Sequence, residues 1–71
     1  MGRTVTRKVE MSAIMADSGY PWNFSAEVEI DEGASDSEVM GAARAAAVAA
    51  LDRDNVAVSL VEPVFVEPLD E

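Results

Sequence analysis

The sequence predicts an α+β fold: a two-layer sandwich of order β-β-α-β, with one helix packed on an antiparallel sheet. Three stretches carry that reading. From Trp22 to Ile30, every even position is apolar and every odd one polar, the period of a strand with one face in a core and one in water. Ser35 followed by Glu38 opens an alanine-rich run to Arg53, a capping box ahead of strong helix formers. Val56–Val61 is then rich in β-branched residues and follows with a minimal link. Trp22–Ile30 holds the only Trp and one of two Phe, so the other elements are expected to be laid beside or over it.

Arg3–Met15 reads as the first strand. Val5, Val9, Met11, Ala13 and Met15 fall on one face; Thr4, Thr6, Lys8, Glu10 and Ser12 fall on the other. Arg7 interrupts the apolar face, where its long stem can snorkel past the edge. Asp17-Ser18-Gly19-Tyr20-Pro21 supplies turn residues for a hairpin. A Ser18-Gly19 turn or an Asp17–Tyr20 loop sets Met15 opposite Trp22, Ala13 opposite Phe24, Met11 opposite Ala26 and Val9 opposite Val28. Lys8 then meets Glu29, a favourable pair, and Glu10 meets Glu27, an unfavourable one.

The helix is expected from Asp36 to Arg53, with Asp36 and Glu38 at the positive end of its dipole and Asn55 as a left-handed stop. Val39, Ala43, Ala47 and Leu51 form an i, i+4 stripe, widened by Ala46 and Ala50. Alanines there let the helix axis sit close to the sheet, with Trp22 and Phe24 filling the gap. Met40, Arg44 and Val48 make a second stripe to one side. After the third strand, Pro63 and Pro68 bound another extended piece. Val64-Phe65-Val66 is either a short fourth strand that completes the core or a free segment, and Leu69-Asp70-Glu71 is expected to fray. Residues 1–71 thus form one small domain, with 62–71 an extended edge segment or tail. A split crossover gives spatial order 2-1-3, keeps every pair antiparallel and leaves Trp22–Ile30 at an edge. Order 1-2-3 would need a parallel pair.

Composition narrows the function. The chain of 71 residues carries a net charge of −9, yet nearly half of it is apolar, so it can build a core. It has no Cys and no His, and Lys8 is its one lysine. Triads, thiolate chemistry and His-ligated metals are excluded. Carboxylates on an open sheet face meet water rather than the burial a catalytic pair needs. The Asp31–Glu38 loop lacks EF-hand spacing, and its Ser35, Asp36 and Glu38 serve the helix start. No enzymatic activity, cofactor or metal is therefore expected. All 14 acids lie from Glu10 onward against only Arg44 and Arg53, which disfavours nucleic-acid binding. No run approaches the roughly 18 apolar residues of a membrane span, and no apolar signal segment follows Arg3 and Arg7. A cytoplasmic, non-enzymatic protein is the expectation.

What remains is protein binding. Each Leu-to-Ala difference on the helix face forgoes roughly 2 kcal/mol at about 0.8 kcal/mol per CH₂, so a lone monomer is marginal and a homodimer or higher oligomer is expected. The candidate surfaces are an unpaired sheet edge, the stripe Met40, Arg44 and Val48, and the segment Val64, Phe65 and Val66. Two other roles stay open: a structural homo-oligomeric component of a larger assembly, and an acidic mimic of nucleic acid presenting Glu10, Glu27, Glu29, Asp31 and Glu32 to a basic groove.

Tyr20-Pro21-Trp22-Asn23-Phe24-Ser25-Ala26, Glu32-Gly33-Ala34-Ser35-Asp36-Ser37-Glu38-Val39-Met40 and Ala42-Ala43-Arg44-Ala45-Ala46-Ala47 together resemble small accessory proteins of bacteriophages infecting high-GC actinobacteria. Four Arg to one Lys, an Ala and Val excess, and the lack of Gln, His and Cys belong to the same style. The likeness covers the whole chain in composition and style and carries over no site residue. It implies a viral protein in the bacterial cytoplasm that binds a host protein.

Overall fold

The computed structural model describes residues 2–68, so the expectation for Leu69-Asp70-Glu71 lies outside the described residues. Its order is β1 (Thr4–Met15), β2 (Pro21–Asp31), α1 (Asp36–Arg53) and β3 (Val58–Val66). The sheet runs β2-β1-β3 with both pairs antiparallel, and α1 covers one face. This is the α+β fold read from the sequence, with the split crossover.

The helix begins and ends where its local chemistry dictates. The Glu38 amide donates to Ser35 Oγ at 3.2 Å, and the Ser35 amide donates to Glu38 Oε1 at 3.0 Å. At the other end Asn55 adopts φ 60°, and the Val56 and Asn55 amides donate to the Leu51 and Asp52 carbonyls. That pair of bonds is a Schellman close, and Val56 folds back against the core beside Leu51.

The core is centred on β1 rather than on Trp22–Ile30. Val9, Met11 and Ala13 are fully buried between Val28 of β2, Val61 and Val66 of β3, and Val39, Ala43, Ala47 and Leu51 of α1. A middle strand has neighbours on both sides, so its apolar face is sealed, whereas an edge strand keeps one flank open. Trp22 accordingly stays 42% exposed and stacks on Phe24 with ring centroids 4.8 Å apart. Ala46 and Ala50 do not widen the buried stripe: Ala46 is exposed and Ala50 half-buried.

The hairpin register is displaced by two residues from the predicted one. Met11 faces Phe24, Ala13 faces Trp22 and Val9 faces Ala26. The loop is Ala16–Gly19, closed by Met15 N–H donating to the Tyr20 carbonyl and Gly19 N–H to the Met15 carbonyl. Gly19 sits at φ 70°, a left-handed position that a side chain rarely adopts. The shift sets Lys8 opposite Glu27 and Glu10 opposite Ser25, so the predicted Glu10–Glu27 clash is absent.

The segment after Pro63 is no fourth strand; it continues β3 along β1. Val9 pairs with Val66, Glu10 with Phe65, Met11 with Pro63 and Ile14 with Leu60, with irregularities that leave Val64 and Ser59 as extra residues. Val61 and Val66 are five positions apart, which in a regular strand would put them on opposite faces. The extra residue at Val64 restores both to the core side.

Arg7 interrupts the apolar core face of β1. Its Nη2 donates to the Glu67 carbonyl at 3.1 Å, which carries the guanidinium towards the sheet end, while its buried Nε has no partner.

Candidate protein-binding edge

A three-stranded open sheet has two edges, and here they differ. The edge of β3 is obstructed. Pro63 has no amide to donate, two irregularities break its repeat, and Arg44 reaches over from α1 so that its Nε donates to the Val61 carbonyl at 3.2 Å. Val61 lies opposite Ala13, whose backbone groups point to β2, so the carbonyl that Arg44 occupies is directed away from the sheet. These are devices that blunt an edge against pairing.

The edge of β2 carries none of them along its middle. Its 11 residues pair with β1 without irregularity, from Ile14–Pro21 to Thr4–Asp31. The ladder is bracketed by Met15 N–H to the Tyr20 carbonyl and Glu32 N–H to the Arg3 carbonyl. Even residues of β2 therefore bond inward to β1, and the amides and carbonyls of Asn23, Ser25, Glu27 and Glu29 point outward. Pro21 removes a donor only at the end. Beneath this edge, between β2 and α1, runs a groove of about 310 Å³ lined by Trp22, Phe24, Ala46, Ala47, Ala50 and Leu51. Small side chains on the helix hold the groove open, and the stacked aromatics form its wall. The sheet's other face, which α1 leaves uncovered, bears Glu27, Glu29 and Asp31 on β2.

The sequence-derived candidates lie elsewhere and fall apart into separate places. Met40 is half-buried against the core, and Val66 is buried in it. Arg44 and Val48 border a shallow hollow with Val58 and Leu60 on the β3 side. Val64 and Phe65 are 62% and 54% exposed, and Phe65 lies opposite Glu10 on the uncovered face. Sequence alone does not mark Ala46 and Ala50 as a site; the signal it offers is two aromatics, Trp22 and Phe24, on a strand expected at an edge.

Lys8 sits among the acids of the uncovered face. Its Nζ lies 3.9 Å from Glu67 Oε2, and Glu27 is its cross-strand neighbour. Glu10 is held above its ordinary value of 4.5, first by a hydrogen bond with the Glu67 side chain, then by partial burial and the Glu67 charge, with Lys8 opposing. A carboxyl whose pKa is raised on folding binds more protons folded than unfolded, so its contribution is complete below 4.5 and is lost as pH rises through the folded value. Glu10→Gln is therefore expected to melt above the wild type at neutral pH, with the gap closing as the buffer is taken to about pH 4. Equal gaps at both pH values in thermal melts would contradict the Glu10–Glu67 pairing.

Among the described residues, no His, Cys, Asp or Glu group is arranged to hold a metal ion, and no helix is long and apolar enough to cross a membrane. Comparison with family models, with curated proteins and with solved structures finds no match for this chain.

Proposed function

We propose that the chain is a non-catalytic protein-binding module whose working surface is the free edge of β2. The observation that carries this reading is the asymmetry of the two edges: β3 is blunted by Arg44, Pro63 and its extra residues, whereas β2 is long, regular and open. Strand addition uses main-chain hydrogen bonds for affinity and alternate side-chain positions for specificity. An incoming strand would set one side-chain row over the Trp22–Phe24 groove and the other beside Glu27, Glu29 and Asp31. For a phage accessory protein, the role its sequence style suggests, such an edge would engage a host protein in the bacterial cytoplasm. Lys8, placed among the acids of the uncovered face, interrupts the array that a nucleic-acid mimic would need, which favours strand addition.

A synthetic peptide of alternating lysine and valine serves as the probe, with the fluorescence of Trp22 as the signal. Glu27→Pro removes an outward amide at an edge position without taking a bond from the β1–β2 ladder. The wild type is expected to bind the peptide, and Glu27→Pro to bind it at least tenfold more weakly. Equal binding by the two, or no binding at millimolar peptide, would overturn the reading.

A further inference from the structure

We infer that the β2 edge takes a second copy of this chain, joined antiparallel about a two-fold axis at Ala26 to make a continuous six-stranded sheet. The inference rests on β2 being the strand-accepting edge and adds its occupant in the free protein, which an incoming host strand would displace. Ala26 is the midpoint of Pro21–Asp31, so this register overlaps the whole strand with its copy. It sets Ser25 opposite Glu27 of the second copy, Asn23 opposite Glu29 and Pro21 opposite Asp31. Every acid of the strand then faces a neutral residue. Moving the axis towards the C-terminal end, onto Glu27, would set Glu27 against its own copy. Moving it to Ser25 would leave Asp31 against the hairpin loop.

The hydrogen-bonding parity agrees. The odd residues point outward, and in this register odd residues meet odd residues, while Ala26 meets its copy as a non-hydrogen-bonded pair. The joint would form roughly ten backbone hydrogen bonds after allowing for Pro21, which is the number an ordinary protein–protein interface carries. Both helices come to lie on the same face. With each helix seated over its own middle strand, three strand spacings separate them by about 14 Å, wider than the 8–10 Å of packed helices. The trough between them is floored by the two Ala26 residues, walled by Ala46 and Ala50, and holds Trp22 and Phe24 from both copies. The aromatics that the monomer leaves open are thereby covered.

Ala26→Cys supplies the direct test, because the chain has no other cysteine. A non-hydrogen-bonded pair has Cα atoms about 4.5 Å apart, inside the range of a disulfide. Mild oxidation is expected to give a covalent dimer with Ala26→Cys and not with Val64→Cys on the opposite edge. Sedimentation equilibrium is expected to show wild-type self-association that strengthens between about 20 and about 500 mM NaCl, as screening relieves two acidic chains. Asn23→Lys faces Glu29 of the second copy twice by symmetry and is expected to associate about tenfold more tightly than Asn23→Glu. These two variants leave the backbone untouched, so they decide the matter even if Ala26→Cys or Glu27→Pro folds poorly. A wild type monomeric at several hundred micromolar, preferential cross-linking of Val64→Cys, or indifference to the charge at position 23 would overturn the inference. Retained binding of the lysine–valine peptide by such a monomer would show that the edge accepts strands but not its own copy.

Discussion

Met11→Ala is expected to remove 2–5 kcal/mol of stability, roughly half of what a domain of this size possesses. Met11 is 1% exposed in the middle strand, with Phe24 beside it on β2, Pro63 on β3 and the α1 alanines above. Those alanines cannot reach down to fill the space. The sheet beneath is fixed by ladders on both sides, so the site collapses little and the cavity persists. Thermal unfolding should show the midpoint falling by at least about 10 °C, at 4–8 °C per kcal/mol for a small domain. Met11→Leu, close in volume, should cost less than about 1.5 kcal/mol and confirms that shape rather than the thioether is at stake. A Met11→Ala loss below about 1 kcal/mol would mean that the core does not centre on β1.

Ala43→Leu is expected to destabilise by about 1–3 kcal/mol although it adds apolar surface and hardly alters helix propensity. Ala43 is fully buried in the stripe Val39, Ala43, Ala47 and Leu51, where a small residue sets how near the helix axis approaches the sheet. A leucine there lifts α1 or forces strained rotamers below it. The same change at exposed Ala45 should stay within about 0.5 kcal/mol. Urea midpoints of the two variants check the contrast. Equal effects would show that the helix floats above the sheet and that its alanines are incidental.

The sequence was readable wherever one local interaction decides the structure. Ser35 and Glu38 cap α1 within four residues, and Asn55 turns it off, so both helix ends were legible. The faces of β1 and β2 were legible from their alternation. Their relative register was not: a slip of two residues leaves every side chain on the same face, so the apolar pattern cannot choose between the two alignments. The choice was made by the loop, where Gly19 alone accommodates the left-handed turn that closes Ala16–Gly19. β3 was hardest to read, because the extra residues at Ser59 and Val64 break the two-residue period that identifies a strand face. For that reason the chain beyond Pro63 reads as a separate piece, either completing the core or free, and Val66, a candidate surface residue in the sequence, belongs to the core.

The candidate site was legible only in part. Strand order 2-1-3 already placed Trp22–Ile30 at an edge, and its aromatics were evident. The obstruction of the other edge was not, because Arg44 and Val61 are 17 positions apart and meet only once α1 lies across β3. On the helix wheel Arg44 marks an exposed stripe; in the fold it closes an edge. The difference between the two edges comes from tertiary contact, and the role proposed for β2 rests on it.

Amide hydrogen exchange followed residue by residue, in dilute and in concentrated samples, tests the central claim most directly. The outward amides of Asn23, Ser25, Glu27 and Glu29 should exchange freely when dilute and gain protection as concentration rises, while the outer edge of β3 stays unchanged. Protection that appears on β3 instead would contradict the assignment of β2 as the binding surface, and protection on neither edge at any concentration would contradict its pairing with a second copy.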